Sequence, residues 1–135
     1  MIYLDKLKTK HLKLTPKRRA ILDYFSGQGR CLSPEKVWEE LKQQFKRLGL
    51  PSIYRNLETF VDCGILVKIQ REDRRLYYAL CYDHTGGHHH HHIVCVKCGK
   101  VDEVDGCALV SMVKTSGYKV LKHFVQLEGL CPKCL

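Results

Sequence analysis

The chain has 135 residues, among them 8 cysteines, and carries a formal net charge of +9. That length suits one domain or two small ones, and an apolar content of 44% argues against disorder. No apolar run approaches the roughly 20 residues of a membrane helix, and the first twelve residues mix charge where a secretory leader would be apolar. A cytoplasmic protein with no membrane partner is therefore expected, and in a reducing compartment cysteines point to metal rather than to disulfides. The charge is uneven. Residues 1–82 carry 17 Lys and Arg against 9 Asp and Glu, whereas residues 83–135 carry 6 against 5. A basic first half suggests contact with a polyanion.

In chain order, Thr15-Pro16 opens a helix in which Ile21, Leu22 and Phe25 recur at helical spacing, ended by Gly27 and Gly29. Ser33-Pro34 opens a second, with Val37, Leu41 and Phe45 as its buried stripe. Gly49-Leu50-Pro51-Ser52 turns into a third, whose stripe is Ile53, Leu57, Phe60 and Val61 and which stops at Gly64. Two short helices joined by a turn, the second polar at its start, form the helix-turn-helix pattern. Ile65–Gln70 and Arg75–Leu80 read as strands around a turn at Arg71–Arg74, a hairpin that serves as a wing. Residues 83–87 read as a hinge. Beyond them, 93–95 and 100–104 read as strands, 107–116 as a helix and 118–127 as a last strand. The expected class is α+β: a winged helix-turn-helix DNA-binding domain over 1–82 and a small α/β metal-binding dimerisation domain over 88–135.

The strongest chemical signal is Cys95-x-x-Cys98 paired with Cys131-x-x-Cys134. Two tight turns, each presenting two thiolates, fit a tetrahedral structural zinc site. The other reading is a redox pair or free thiols. The second signal is the run His88–His92. Alternate residues of an extended segment share a face, so His90 and His92 would face one side and His89 and His91 the other. One run could thus feed two sites. The third signal is Ser52, Tyr54 and Arg55 at the start of the candidate reading helix, residues able to bind phosphate or base edges. The other reading is an ordinary amphipathic surface.

Taken in order, these pieces resemble the ferric uptake regulator family. They are Leu14-Thr15-x-x-Arg18-x-x-Ile21-Leu22, Ser33-x-Glu35-x-Val37, Ser52–Leu57, Gly64-Ile65-Leu66, the histidine run, Cys95-x-x-Cys98-Gly99-Lys100 and Cys131-x-x-Cys134. The resemblance implies a homodimer that binds double-stranded operator DNA when metal-loaded. It implies structural zinc at Cys95, Cys98, Cys131 and Cys134, a regulatory site using His90, His92 and Glu103, and a third site using His89, His91 and His123. Val110 stands where that third site often has an acidic ligand. The resemblance also implies reading contacts from Tyr54 and Arg55 and a minor-groove contact from Lys13, with Lys17 and Arg18 expected along the phosphates.

The chain departs from the family pattern at two places. Cys31 stands about where the regulatory site usually takes a histidine, and the wing ends on Ala79 and then Cys81 rather than an acid. A cysteine ending that strand resembles the zinc-sensing branch, since soft thiolate favours zinc. Cys31 and Cys81 are therefore candidates to complete the regulatory site; the other readings are that they are ordinary buried thiols, or that His84 is the ligand instead, while Cys63 and Cys107 read as small core residues. The expected function is a zinc-sensing repressor of metal-uptake or homeostasis genes, with iron(II) sensing as the alternative within the family. A metal-buffering protein is the alternative of another class. No activated nucleophile or open catalytic site marks an enzyme, and no small-molecule substrate is expected.

Overall fold

A computed structural model describes residues 2–81, 90–105, 116–119, 121 and 125–135. The elements are α1 (Ile2–Thr9), α2 (Pro16–Ser26), α3 (Pro34–Leu41), α4 (Leu50–Asp62), β1 (Leu66–Gln70), β2 (Leu76–Leu80), β3 (His90–Cys95), β4 (Val101–Asp105) and β5 (Gln126–Gly129). This is the mixed helix-and-sheet class expected.

The helices begin where their caps lie. The Thr15 hydroxyl accepts from the Arg18 amide at 3.3 Å, and the Ser33 hydroxyl accepts from the Lys36 amide at 3.1 Å. Each satisfies a first-turn N–H that has no helical partner. α4 starts from Gly49 without a side-chain cap. Ile21, Leu22, Phe25, Val37, Leu41, Ile53, Leu57 and Phe60 then meet Ile65, Leu66, Tyr78 and Leu80 in one buried cluster. α3 stops at Leu41, so Phe45 packs on this cluster from the turn that follows rather than from the helix. Leu7 of α1 is fully buried in the same cluster, and the Lys6 ammonium donates to the Gly64 carbonyl at 2.8 Å. The sequence reading assigned no helix there. The single tryptophan, Trp38, donates its indole N–H to the Leu48 carbonyl at 2.8 Å, and the Lys42 ammonium lies 4.6 Å from its ring centre.

The hairpin β1–β2 is antiparallel, with Leu66 opposite Leu80 and Ile69 opposite Tyr77. Its tie to α4 is polar. The fully buried Tyr78 donates its hydroxyl to Glu58 at 2.6 Å, and Glu58 also pairs with Lys68 at 2.9 Å. The Tyr78 bond, with Lys68 beside it, lowers the Glu58 pKa against the opposing effect of burial. Burial first, and then the bond to Glu58, drive the Tyr78 phenol well above its usual range.

The second sheet has the order β4-β3-β5. β3 runs antiparallel to β4 and parallel to β5. It begins at His90, so His90, His91 and His92 of the histidine run belong to the strand itself. The last strand also lies later than expected, at 126–129, with Tyr118 and Leu121 exposed outside it. The predicted hinge at 83–87 and all but the last residue of the predicted helix at 107–116 lie outside the described residues.

The two sheets meet through a small second cluster of Cys31, Ile69, Ala79 and Val94. Backbone bridges pair Arg30 with Lys100 and Leu32 with Tyr78. No described helix is long and apolar enough to cross a membrane.

Candidate metal centres and DNA-facing surface

The thiols of Cys95, Cys98, Cys131 and Cys134 lie within 4.8 Å of one another. Cys95 ends β3. Gly99, at φ +79, lets the chain turn back so that its amide donates to the Cys95 carbonyl at 2.9 Å. A side chain at that φ would be strained. In the second turn the Cys134 amide donates to the Cys131 carbonyl, also at 2.9 Å. Parallel pairing of β5 with β3 carries this turn to the first, and the Cys131 amide reaches the Cys95 sulfur at 3.4 Å.

The Cys98 and Cys131 sulfurs are 3.8 Å apart. That is far beyond a disulfide bond, and it matches the edge of about 3.8 Å that a tetrahedron with metal–sulfur bonds of about 2.3 Å requires. The surroundings treat these thiols unequally, favouring thiolate at Cys95 and Cys131. Amide donors from Cys131 and Cys98 bring Cys95 down to about 6. Burial opposes ionisation at Cys131, but hydrogen bonds from the Cys134 thiol and the Lys133 amide outweigh it and lower its pKa. A bond to Cys131, followed by burial, pushes Cys134 up to about 12. The donor set and its spacing suit a structural zinc.

A second group joins the two sheets. Cys81 follows β2, and its amide donates to the Ile65 carbonyl at 2.9 Å. His92 and Glu103 are directly opposed across β3 and β4. Ligand atoms of Cys81, His92 and Glu103 all fall within 4.8 Å of one another. His92 is buried, with 8% exposure. One thiolate, one imidazole and one carboxylate make a mixed set that fits a divalent transition metal.

Cys31 does not join this group. It is buried against Ile69, Ala79 and Val94, and its amide donates to the Gly99 carbonyl at 2.9 Å. Burial raises its thiol pKa, with Arg71 opposing. Of the proposed third site, His91 is buried opposite Val104 in the sheet, while His89 and His123 lie outside the described residues. So do His84 and Cys107. His90 opens β3, opposite Asp105. Cys63 is half-buried against the main cluster, as a core residue would be.

On α4, the buried Ile53, Leu57 and Phe60 leave Tyr54 and Arg55 exposed. The Tyr54 hydroxyl donates to Glu35 of α3 at 2.9 Å. Lys13 is exposed, and Lys17 and Ser52 are half-buried. Arg18 is not simply a surface cation. Its Nε donates to the Asn56 side chain at 3.0 Å, and a terminal nitrogen donates to the Lys13 carbonyl at 2.8 Å. Asn56 donates in turn to the Ser52 carbonyl at 3.0 Å. This clasp sets the Lys13–Lys17 segment beside the first turns of α4. Sequence reasoning missed it, along with the contacts of Glu58, Arg71 and Gln126, because bonds between residues far apart in sequence leave no local pattern.

A helical module with a two-stranded wing, joined to a small sheet that carries paired cysteine turns, defines a winged-helix metalloprotein. A profile of the ferric uptake regulator family matches residues 9–128, and the chain belongs to that family. The ferric uptake regulation protein of Neisseria meningitidis serogroup B is 34% identical, over 97% of this chain and 92% of that protein. A structure of the ferric uptake regulator from Francisella tularensis with iron superposes with a TM-score of 0.63 at 28% identity, covering 92% of this chain and 95% of that one. A zinc uptake regulator complexed with zinc and DNA shares the fold at a TM-score of 0.77 and 21% identity, covering 96% and 88%.

Proposed function

We propose that the protein is a metal-dependent transcriptional repressor that binds operator DNA as a homodimer, with zinc as the sensed metal. The observation that carries this reading is the group Cys81, His92 and Glu103. Cys81 ends the wing of the reading module, whereas His92 and Glu103 belong to the other sheet. A metal bound there supplies a cross-link between the two. Cys81 holds the end of β2 towards β3, and Glu103 holds β4 in register with His92. His90 is the fourth ligand in this reading, as the family resemblance implies. Fixing one orientation raises the fraction of molecules competent to bind DNA.

Cys95, Cys98, Cys131 and Cys134 hold a permanent zinc, and residues 83–87 act as the hinge between modules 1–82 and 88–135. Arg55 and Tyr54 read the major groove, Lys13 reaches the minor groove, and Lys17 and Ser52 contact phosphate. Arg18, through Asn56, presents the reading helix.

The test begins with protein that keeps its structural zinc. Zinc, and iron(II) under anaerobic conditions, are titrated in while fluorescence anisotropy reads binding to a palindromic duplex selected against this protein. Zinc-dependent binding at lower free metal than iron(II) is expected. Binding that ignores both metals rejects the reading and leaves a metal-buffering role. One observation favours iron(II) as the second reading: imidazole and carboxylate supply two of the three described ligands, and both suit iron.

A further inference from the structure

Arg71, at the start of the wing turn, does not point into solvent. Its side chain is 19% exposed, and a terminal nitrogen donates to the Val96 carbonyl at 2.9 Å, inside the first cysteine turn. The guanidinium carbon lies 5.3 Å from the centre of the Tyr77 ring. Its other terminal nitrogen comes within 3.4 Å of where a side chain on Gly99 would begin. The Glu72 carboxylate stands 4.0 Å away and is itself exposed, so the close acceptor of this cation is a neutral backbone oxygen. That geometry holds one backbone against another rather than neutralising charge.

Two further bonds tie the end of β1 to β5, where Gln126 stands opposite His92. The Gln70 amide donates to the Gln126 side-chain oxygen at 3.0 Å, and the Gln126 side-chain nitrogen donates back to the Gln70 carbonyl. Beside Arg71, the Cys31 amide donates to the Gly99 carbonyl at 2.9 Å, and the Val101 amide reaches the Gly29 carbonyl at 3.4 Å. The turn between Cys95 and Lys100 is thus gripped by the wing and by the segment between α2 and α3.

We propose that Arg71, seconded by Gln126, is a positioning residue that latches the wing to the first cysteine turn and so sets the angle of the reading module. The Arg71 bond shares no residue with the Cys81, His92 and Glu103 group, whereas Gln126 stands opposite His92 in the sheet. The latch rests on the DNA-binding reading above for its second readout alone.

The test uses the full chain with its zinc, as wild type, Arg71→Ala, Arg71→Lys and Arg71→Met. Hydrogen exchange is followed in peptides covering residues 28–33 and 96–101. Arg71→Ala should speed exchange in both by about tenfold, the scale of one charge-assisted bond, with zinc content unchanged. Its affinity for the selected duplex should fall about tenfold, and Arg71→Lys should not restore it, since an ammonium lacks the planar fork.

Exchange that stays at wild-type rates, or changes confined to residues 71–76, overturns the latch. So does a lysine variant that recovers DNA binding while neither variant alters exchange, because Arg71 would then be a phosphate contact. Should Arg71→Ala fail to fold, Arg71→Met decides, since it keeps an apolar stem and removes the donors to Val96. Faster exchange in the 96–101 peptide supports the latch, and wild-type rates there reject it. Wild-type protein that binds no duplex would sink the proposed function, while the exchange data still judge the latch.

Discussion

The two candidate metal groups differ in what they join. The four cysteines come from two tight turns within one small sheet, and each turn places two thiols by local geometry alone. Cys81, His92 and Glu103 come from two different sheets, and they meet where those sheets touch. A site of the first kind stabilises a fold. A site of the second kind responds to how two parts are oriented, and biases that orientation when filled. In this chain the donor chemistry follows the same division, with four sulfurs in the first group and a sulfur, nitrogen and oxygen mixture in the second.

The harshest way to break the comparison is Cys98→Ser. Structural zinc contributes about 10 kcal/mol or more to folding in small zinc domains. Loss of the folded second module is expected, seen as lost zinc by elemental analysis and a collapsed thermal transition. A stable, zinc-free variant with wild-type melting would show that the first group is not structural. His92→Ala should act differently. Fold and tightly held zinc should persist, while the metal-stimulated gain in DNA affinity, about 5- to 150-fold for a typical coupling, should vanish. Anisotropy titrations with and without metal measure it.

Those two variants also separate what the sequence disclosed from what it hid. The cysteine turns were legible because C-x-x-C is a local pattern whose spacing sets its geometry. Both helix caps and the wing hairpin were legible for the same reason. Cys81 was placed by the resemblance, and its meeting with His92 and Glu103 depends on the β3–β4 register. Cys31 was weighed beside it as a ligand, and its sequence neighbourhood gave no hint that it packs among Ile69, Ala79 and Val94. The final strand was read too early, since Tyr118, Val120 and Leu121 look more strand-like than Gln126–Gly129, whose pairing with β3 is parallel and distant in sequence. α1 went unread because its 8 residues span only about two turns, too short for a helical period to stand out.

Cobalt substitution sharpens the contrast within the second group. Thiolate ligation adds near-ultraviolet charge-transfer absorption. In Cys81→Ser the band beyond the four-cysteine contribution should fall by about one thiolate's share, and in Cys31→Ser it should not change. The reverse result would move the ligand to Cys31 and require the cluster around it to open.

On the reading helix, Arg55→Ala should cost about 1–3 kcal/mol of operator binding and weaken sequence preference. Equal loss on operator and scrambled duplexes would make Arg55 a phosphate contact. The smallest effect concerns the wing's tie to α4. Tyr78→Phe should cost about 1–2 kcal/mol in thermal or denaturant unfolding. Glu58 has a lowered folded pKa, so its stabilisation is present above the ordinary carboxylate value, near 4.3, and is lost as pH falls through the lower folded value. Stability measured from neutral pH into that acid range should therefore drop less steeply in Tyr78→Phe than in wild type.

Trp38 makes the reading module optically legible. Its indole is hydrogen-bonded to Leu48, two residues before α4 begins, and a lysine cation sits over its ring. With no second tryptophan in the chain, emission comes from one address, at the approach to the helix proposed to touch DNA. Shifts of wavelength or quenching during metal addition therefore time any change at that approach against the filling of the Cys81, His92 and Glu103 group, without a dye or a label. A protein whose emission changes before DNA is added has been reshaped by metal alone, whereas one that changes on DNA addition has been reshaped by its partner.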